Sequence, residues 1–128
     1  MSSDVTAAVD PNYESVFEKQ NSAYAGRGMA IMKYTGSRGK SGTSDASSEF
    51  VHEILTIMNN NNVVWQTGEL GKVDQGGGGT VAMYMSKRNI ETIDAGVPVL
   101  GMHSPFEVVA KNDVYMAYLA MSEFFRKY

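Results

Sequence analysis

The stretch Gly96-Val97-Pro98-Val99-Leu100-Gly101-Met102-His103-Ser104-Pro105-Phe106-Glu107 decides how this chain is read. Its first half is a short apolar run closed by a glycine, the pattern of a buried strand. A histidine follows. In open α/β sheets, ligands bind in the crevice outside the carboxyl ends of the strands, so an imidazole carried there is aimed at a cleft and can ligate a metal. On spacing alone the same histidine also suits a satisfied structural role.

Outward from this stretch, Val114, Ala117, Tyr118, Met121 and Phe125 recur at three and four residues and predict a terminal helix that buries this face. On the other side, Thr92 to Val99 reads as one strand, with Pro98 putting it at an edge or near its end. Val81, Ala82, Tyr84 and Met85 predict a short helix to about Ile90, and Val63-Val64-Trp65-Gln66-Thr67 a further strand. From Ala46, the residues Phe50, Val51, Ile54, Leu55 and Met58 share a helical face. Ser44 and Asp45 can cap that helix, and the run Asn59 to Asn62 stops it. Met29 to Tyr34 suits a buried strand, and the first thirty residues, with Asp10-Pro11-Asn12-Tyr13, read as loop or extended chain. Strands alternating with helices define an α/β layered fold. No repeat and no linker divides the 128 residues, which fit one domain.

Composition removes several function classes. There is no cysteine, which excludes disulfides, thiolate catalysis and zinc-thiolate sites and fits a reducing cytoplasm. Eleven basic against 14 acidic residues give a net charge of -3, with no basic stripe to neutralise phosphates, so nucleic acid is not an expected partner. No apolar run approaches the roughly 20 residues that cross a bilayer, so no membrane partner is expected, and the first residues lack signal-peptide character.

Two loops invite comment. Gly36-Ser37-Arg38-Gly39-Lys40-Ser41 looks like a phosphate loop but has Tyr34 where the first glycine belongs, and the helix begins too late; it reads as a flexible connection. The run Gly76-Gly77-Gly78-Gly79-Thr80 lets backbone approach a ligand closely and offers free amides at a helix start, although glycine runs are also plain turns. No Gly-x-Ser-x-Gly elbow supports a serine hydrolase, and His52 reads as a partly solvated helix side chain.

Three segments taken together carry a resemblance. Ser3-Asp4-Val5-Thr6-Ala7-Ala8-Val9-Asp10-Pro11-Asn12-Tyr13, Gly71-Lys72-Val73-Asp74-Gln75-Gly76-Gly77-Gly78-Gly79-Thr80 and the opening stretch through Glu107 resemble the carboxyl-terminal part of the aspartyl-aminopeptidase family of metallopeptidases, in its bacterial branch. Ser3 replaces the family's commoner alanine. The resemblance implies a layered αβα sandwich, part of a zinc-peptidase catalytic domain with a phosphorylase/hydrolase-like fold. It also implies a dinuclear metal centre, zinc with manganese or cobalt as alternatives, that hydrolyses amino-terminal residues from peptide substrates. By that resemblance Asp4 and His103 are metal ligands, and Gly78 and Thr80 contact substrate. The family's first histidine, bridging aspartate, glutamate pair with its general base and dimerisation domain all lie upstream of the Asp4 segment. The chain is therefore expected to be a piece of an aminopeptidase, inactive alone, without a catalytic base of its own, and part of a cytoplasmic homo-oligomer when whole. The alternative is a stand-alone, non-catalytic binding or assembly module with the same fold.

Overall fold

The computed structural model describes residues 1–38, 41–72 and 74–128. Along the chain run β1 (Thr6–Ala7), a 3-10 turn (Glu14–Val16), β2 (Met29–Met32), β3 (Tyr34–Ser37), β4 (Ser41–Asp45), α1 (Ser48–Asn60), β5 (Trp65–Thr67), β6 (Gly77–Gly78), α2 (Ala82–Ser86), β7 (Asp94–Gly96), β8 (Pro98–Leu100), β9 (Val108–Val109) and α3 (Lys111–Lys127). The strands form three small sheets, in the orders β5-β2-β7, β1-β8-β9 and β4-β3-β6. The expected α/β layering is present.

Met29-Ala30-Ile31-Met32 does not alternate apolar with polar, and accordingly all of β2 is buried. It pairs in parallel with β5 and antiparallel with β7. A parallel pair needs a long crossover, here supplied by the β3–β4 hairpin and α1. The hairpin occupies the loop expected to be a flexible connection. Gly39 and Lys40, at the heart of the phosphate-loop pattern, lie outside the described residues.

Helix α1 starts later than expected. Ser44 is buried in β4, its hydroxyl 2.6 Å from that of Thr35 across the hairpin, so neither it nor Asp45 caps the helix. Ser47 does, accepting the Phe50 N–H at 3.2 Å. The predicted face then packs as read: Ile54 and Met58 are fully buried, with Phe50, Val51 and Leu55 against the same core, which includes Met29, Ile31, Ile93 and Ala95. The asparagines do stop the helix. The Asn61 amide group donates to the Ile57 carbonyl at 2.8 Å, and Asn62 takes a left-handed φ of 56°.

Thr92 to Val99, expected as one strand, divides into β7 and β8, which belong to different sheets. One partner nevertheless follows the whole run. The first eight residues pair along it, with Ser2 N–H donating to Ile93 O (2.8 Å), Thr6 N–H to Val97 O (3.1 Å) and Ala8 N–H to Val99 O (2.9 Å). Pro98 stands at the first position of β8, the middle strand of its sheet rather than an edge, where a missing N–H is tolerated. Helix α2 is shorter than the predicted span to Ile90, ending at Ser86.

The terminal helix is present, but its buried face is turned from the predicted one. Ala117 packs on the core as read, whereas Val114, Tyr118 and Phe125 are exposed, and Met116, Ala120 and Phe124 join Ala117 in their place. Apolar residues surround this helix on nearly all sides, so periodicity alone does not choose between adjacent faces. A polar residue chooses. Asp113 is fully buried in the first turn, and its carboxylate accepts the N–H groups of Gly26 (2.6 Å) and Gly28 (2.8 Å). Gly28 lies at a φ of 90° and packs so tightly on Val64 that an added Cβ would sit 2.2 Å from its carbonyl oxygen. Replacing Asp113 with alanine leaves these amides without their charged acceptor and should cost about 3 kcal/mol. A thermal unfolding midpoint unchanged by Asp113→Ala would contradict that role.

Candidate metal centre

Asp4 reaches its place through the backbone. It lies two residues before β1, on the segment that pairs with Ile93 to Val99, and there its main chain crosses Gly96. A Cβ added at Gly96 would lie 1.4 Å from the Asp4 carbonyl oxygen, closer than any side chain can come. Only glycine permits this crossing. The half-buried Asp4 carboxylate accepts the Val5 N–H through Oδ1 at 2.8 Å, which leaves Oδ2 for other partners.

His103 does not sit at the strand end itself. β8 finishes at Leu100, and the chain then makes a turn closed by the Ser104 N–H on the Gly101 carbonyl at 2.9 Å. His103 occupies the position in this turn where φ is positive, at 67°. Glycine is the ordinary residue there. A left-handed conformation costs a side-chain-bearing residue about 1 kcal/mol or more, and such outliers cluster at functional sites. The imidazole is solvent-exposed.

The glycine run is bent back by Gly77, at a φ of 103°, and pairs through β6 with Gly36 and Ser37. It ends on a buried hydrogen bond: the Thr80 hydroxyl donates to Asp94 Oδ2 at 2.6 Å. Asp94 is 1 % exposed. Burial pushes its carboxyl above the usual carboxylate range; hydrogen bonds from Thr80 and Ser2 oppose the shift, and the nearby Asp4 charge adds to it. Thr80 itself is buried with its hydroxyl proton committed, so a ligand meets only its remaining lone pairs and its backbone.

These segments converge. Asp4, Gly78, Thr80 and His103, singled out from the sequence in three separate stretches, all line one cleft of about 430 Å³. Its walls are largely apolar, with Val5, Val16, Phe17, Leu70 and Met102 among them. Val5 and Ala7 face the cleft while Thr6 and Ala8 are buried behind it, the alternation of a strand. His52 is exposed on α1, in keeping with its reading as a solvated side chain. A carboxylate and an imidazole form a donor set suited to zinc. Among the described residues, no group of three or more His, Cys, Asp or Glu gathers to hold a metal. Asp4 and His103 thus fit a zinc site in part, as two donors lining the same cleft. Sequence reasoning gave no role to Asp94, Gly96 or Glu107. An aspartate inside the apolar run Thr92-Ile93-Asp94-Ala95 was the available signal for the first.

The model of the M18 family, the aminopeptidase I zinc metalloproteases, matches residues 1–125, and the chain belongs to that family. It is 55 % identical over 115 residues to a probable M18 family aminopeptidase 1 of Clostridium acetobutylicum, covering 90 % of this chain and 25 % of that protein. A probable M18 family aminopeptidase 1 of Borreliella burgdorferi is 50 % identical, over 99 % of this chain and 28 % of its own length. The crystal structure of aminopeptidase I from Clostridium acetobutylicum superposes with a TM-score of 0.91 at 53 % identity, over 96 % of this chain and 27 % of that one. The M18 aminopeptidase structure from Thermotoga maritima gives 0.91 at 48 %, covering 95 % and 27 %. The chain spans about a quarter of the length of the curated relatives it matches.

Proposed function

We propose that this chain is the carboxyl-terminal part of the catalytic domain of a dinuclear, zinc-dependent aminopeptidase, and that Asp4 and His103 are its metal ligands. The observation that carries this reading is the meeting of Asp4, His103 and the glycine run in one cleft. A bound zinc acts as a Lewis acid toward the scissile peptide carbonyl; manganese or cobalt can take that part. The Asp4 carboxylate supplies negative charge to hold the cation, and His103 supplies a neutral imidazole nitrogen. Gly78, without a side chain, lets the peptide lie against the loop, while Thr80, tied to Asp94, keeps the loop in place. The general base and remaining ligands come from residues outside this chain.

Exposed apolar residues support membership in a larger assembly. Phe106, Val108 and Val109 on and beside the edge strand β9, together with Tyr115, Tyr118 and Phe125 on α3, leave apolar surface uncovered. We assign these faces to the rest of the protein and to further copies of it in a homo-oligomer, working in the cytoplasm. Among the described residues, no helix is long and apolar enough to cross a membrane.

The test uses the complete protein. It should release amino-terminal residues from peptides, lose that activity on chelation and regain it with zinc, manganese or cobalt, while the 128-residue chain alone stays inactive. The absence of a closed ligand set among the described residues favours a second reading if the chain acts alone, a non-catalytic binding or assembly module. Binding or assembly indifferent to metal would select it.

A further inference from the structure

His103 is held by a residue that has no other evident task. Glu107 is exposed, and none of the ion pairs found among the described residues involves it. Its Oε1 instead accepts the backbone N–H of His103 at 2.6 Å. Between the two, Ser104 folds the chain onto itself, its hydroxyl donating to the Phe106 carbonyl at 2.5 Å and accepting the Phe106 N–H at 3.2 Å. The return is tight enough that a Cβ at Gly101 would fall 2.9 Å from the Phe106 carbonyl oxygen.

We propose that Glu107 is a positioning residue for the metal centre: its carboxylate pins the amide of left-handed His103 and thereby aims the imidazole into the cleft. The proposal rests on the reading of His103 as a metal ligand. His103 sits at a φ of 67°, which an L residue leaves readily unless its surroundings fix it. A carboxylate on the amide is a charge-assisted bond, stronger than the water contact that would replace it. Without it the turn is free to relax toward right-handed backbone, and the Cα–Cβ direction of His103 turns with it. The imidazole ring is thus aimed through its own main chain, a different device from a carboxylate bonded to the ring. Glutamine at this position keeps an acceptor oxygen in the same place; alanine does not.

The experiment compares Glu107→Ala, Glu107→Gln and His103→Ala in the complete metallopeptidase carrying this chain, measuring zinc retained per subunit against a graded series of chelators, with kcat and KM alongside. Residues that orient metal ligands typically change metal affinity by 10–100-fold, and Glu107→Ala is expected to weaken retention of one zinc ion by about that factor. Its kcat should recover in excess zinc with KM little changed, and Glu107→Gln should retain zinc nearly as the parent does. A Glu107→Ala protein that holds zinc like the parent, while His103→Ala loses it, overturns the positioning role and leaves the ligand reading standing. Full zinc retention by His103→Ala overturns both.

Discussion

Gly96→Ala should leave the complete metallopeptidase with less than about a hundredth of its activity, although the substitution adds a single methyl group to a residue without functional atoms. That methyl would fall 1.4 Å from the Asp4 carbonyl oxygen and 2.5 Å from the Asp4 carbonyl carbon. Both obstacles are main chain, so no rotamer change relieves the clash. The segment carrying Asp4 must lift from β7 and β8 by more than an ångström, and displacements of that size at a reacting centre can cost on the order of a hundredfold. Metal content should fall in parallel, because the displaced residue is a proposed ligand. Zinc per subunit and kcat/KM measured on the same preparation decide the matter: normal values for both would show that the crossing of Asp4 over Gly96 is looser than the backbone geometry requires.

His103→Ala should abolish hydrolysis and release metal. The stabilisation that a catalytic ion supplies is worth several kcal/mol, and each 1.4 kcal/mol is a factor of ten, so the loss is expected on the order of a thousandfold or more. A companion variant separates function from folding. Glycine relieves the left-handed strain at a φ of 67° that alanine retains. His103→Gly should therefore unfold at a temperature no lower than His103→Ala while being equally inactive. Hydrolysis by either variant at near the parent rate would remove His103 from the metal centre.

Much of the frame was legible because burial left a plain mark on it. The unbroken apolar run of β2, the 3.6-residue period of α1 and the asparagines that end it each depend on local chemistry, and each is found where the residues put it. The errors share a different cause. Choosing the buried face of α3 depends on Asp113 meeting Gly26 and Gly28, which lie 87 and 85 residues away, and no local pattern encodes that contact. Ser44 was a plausible cap by type, but the hairpin partner Thr35 claimed it first. Of the proposed ligands, His103 drew notice from its place after a strand, but its pairing with Asp4 became readable only through resemblance, since a carboxylate near one end of the chain and a histidine near the other share no spacing. Asp94 leaves a local mark, an aspartate inside an apolar run, but its partner, the Thr80 hydroxyl, is supplied only by the fold, as is the contact of Glu107 with the His103 amide.

The parallel pairing of the first eight residues with Ile93 to Val99 gives the chain a thermodynamic coupling. β1 is only two residues long, and the strap is held by its ladder of amides, the burial of Thr6 and Ala8, the Ala8–Ala23 bridge and Met1 packed on the core. Asp4 rides on this strap and His103 on the turn that follows β8, the strand it docks against. An ion held by both, directly or through its companion ion, would join the strap to the sheet as a clasp, so on the proposed reading metal affinity includes the free energy of docking the strap. Local opening of this one edge and loss of the metal then become the same event seen from two sides.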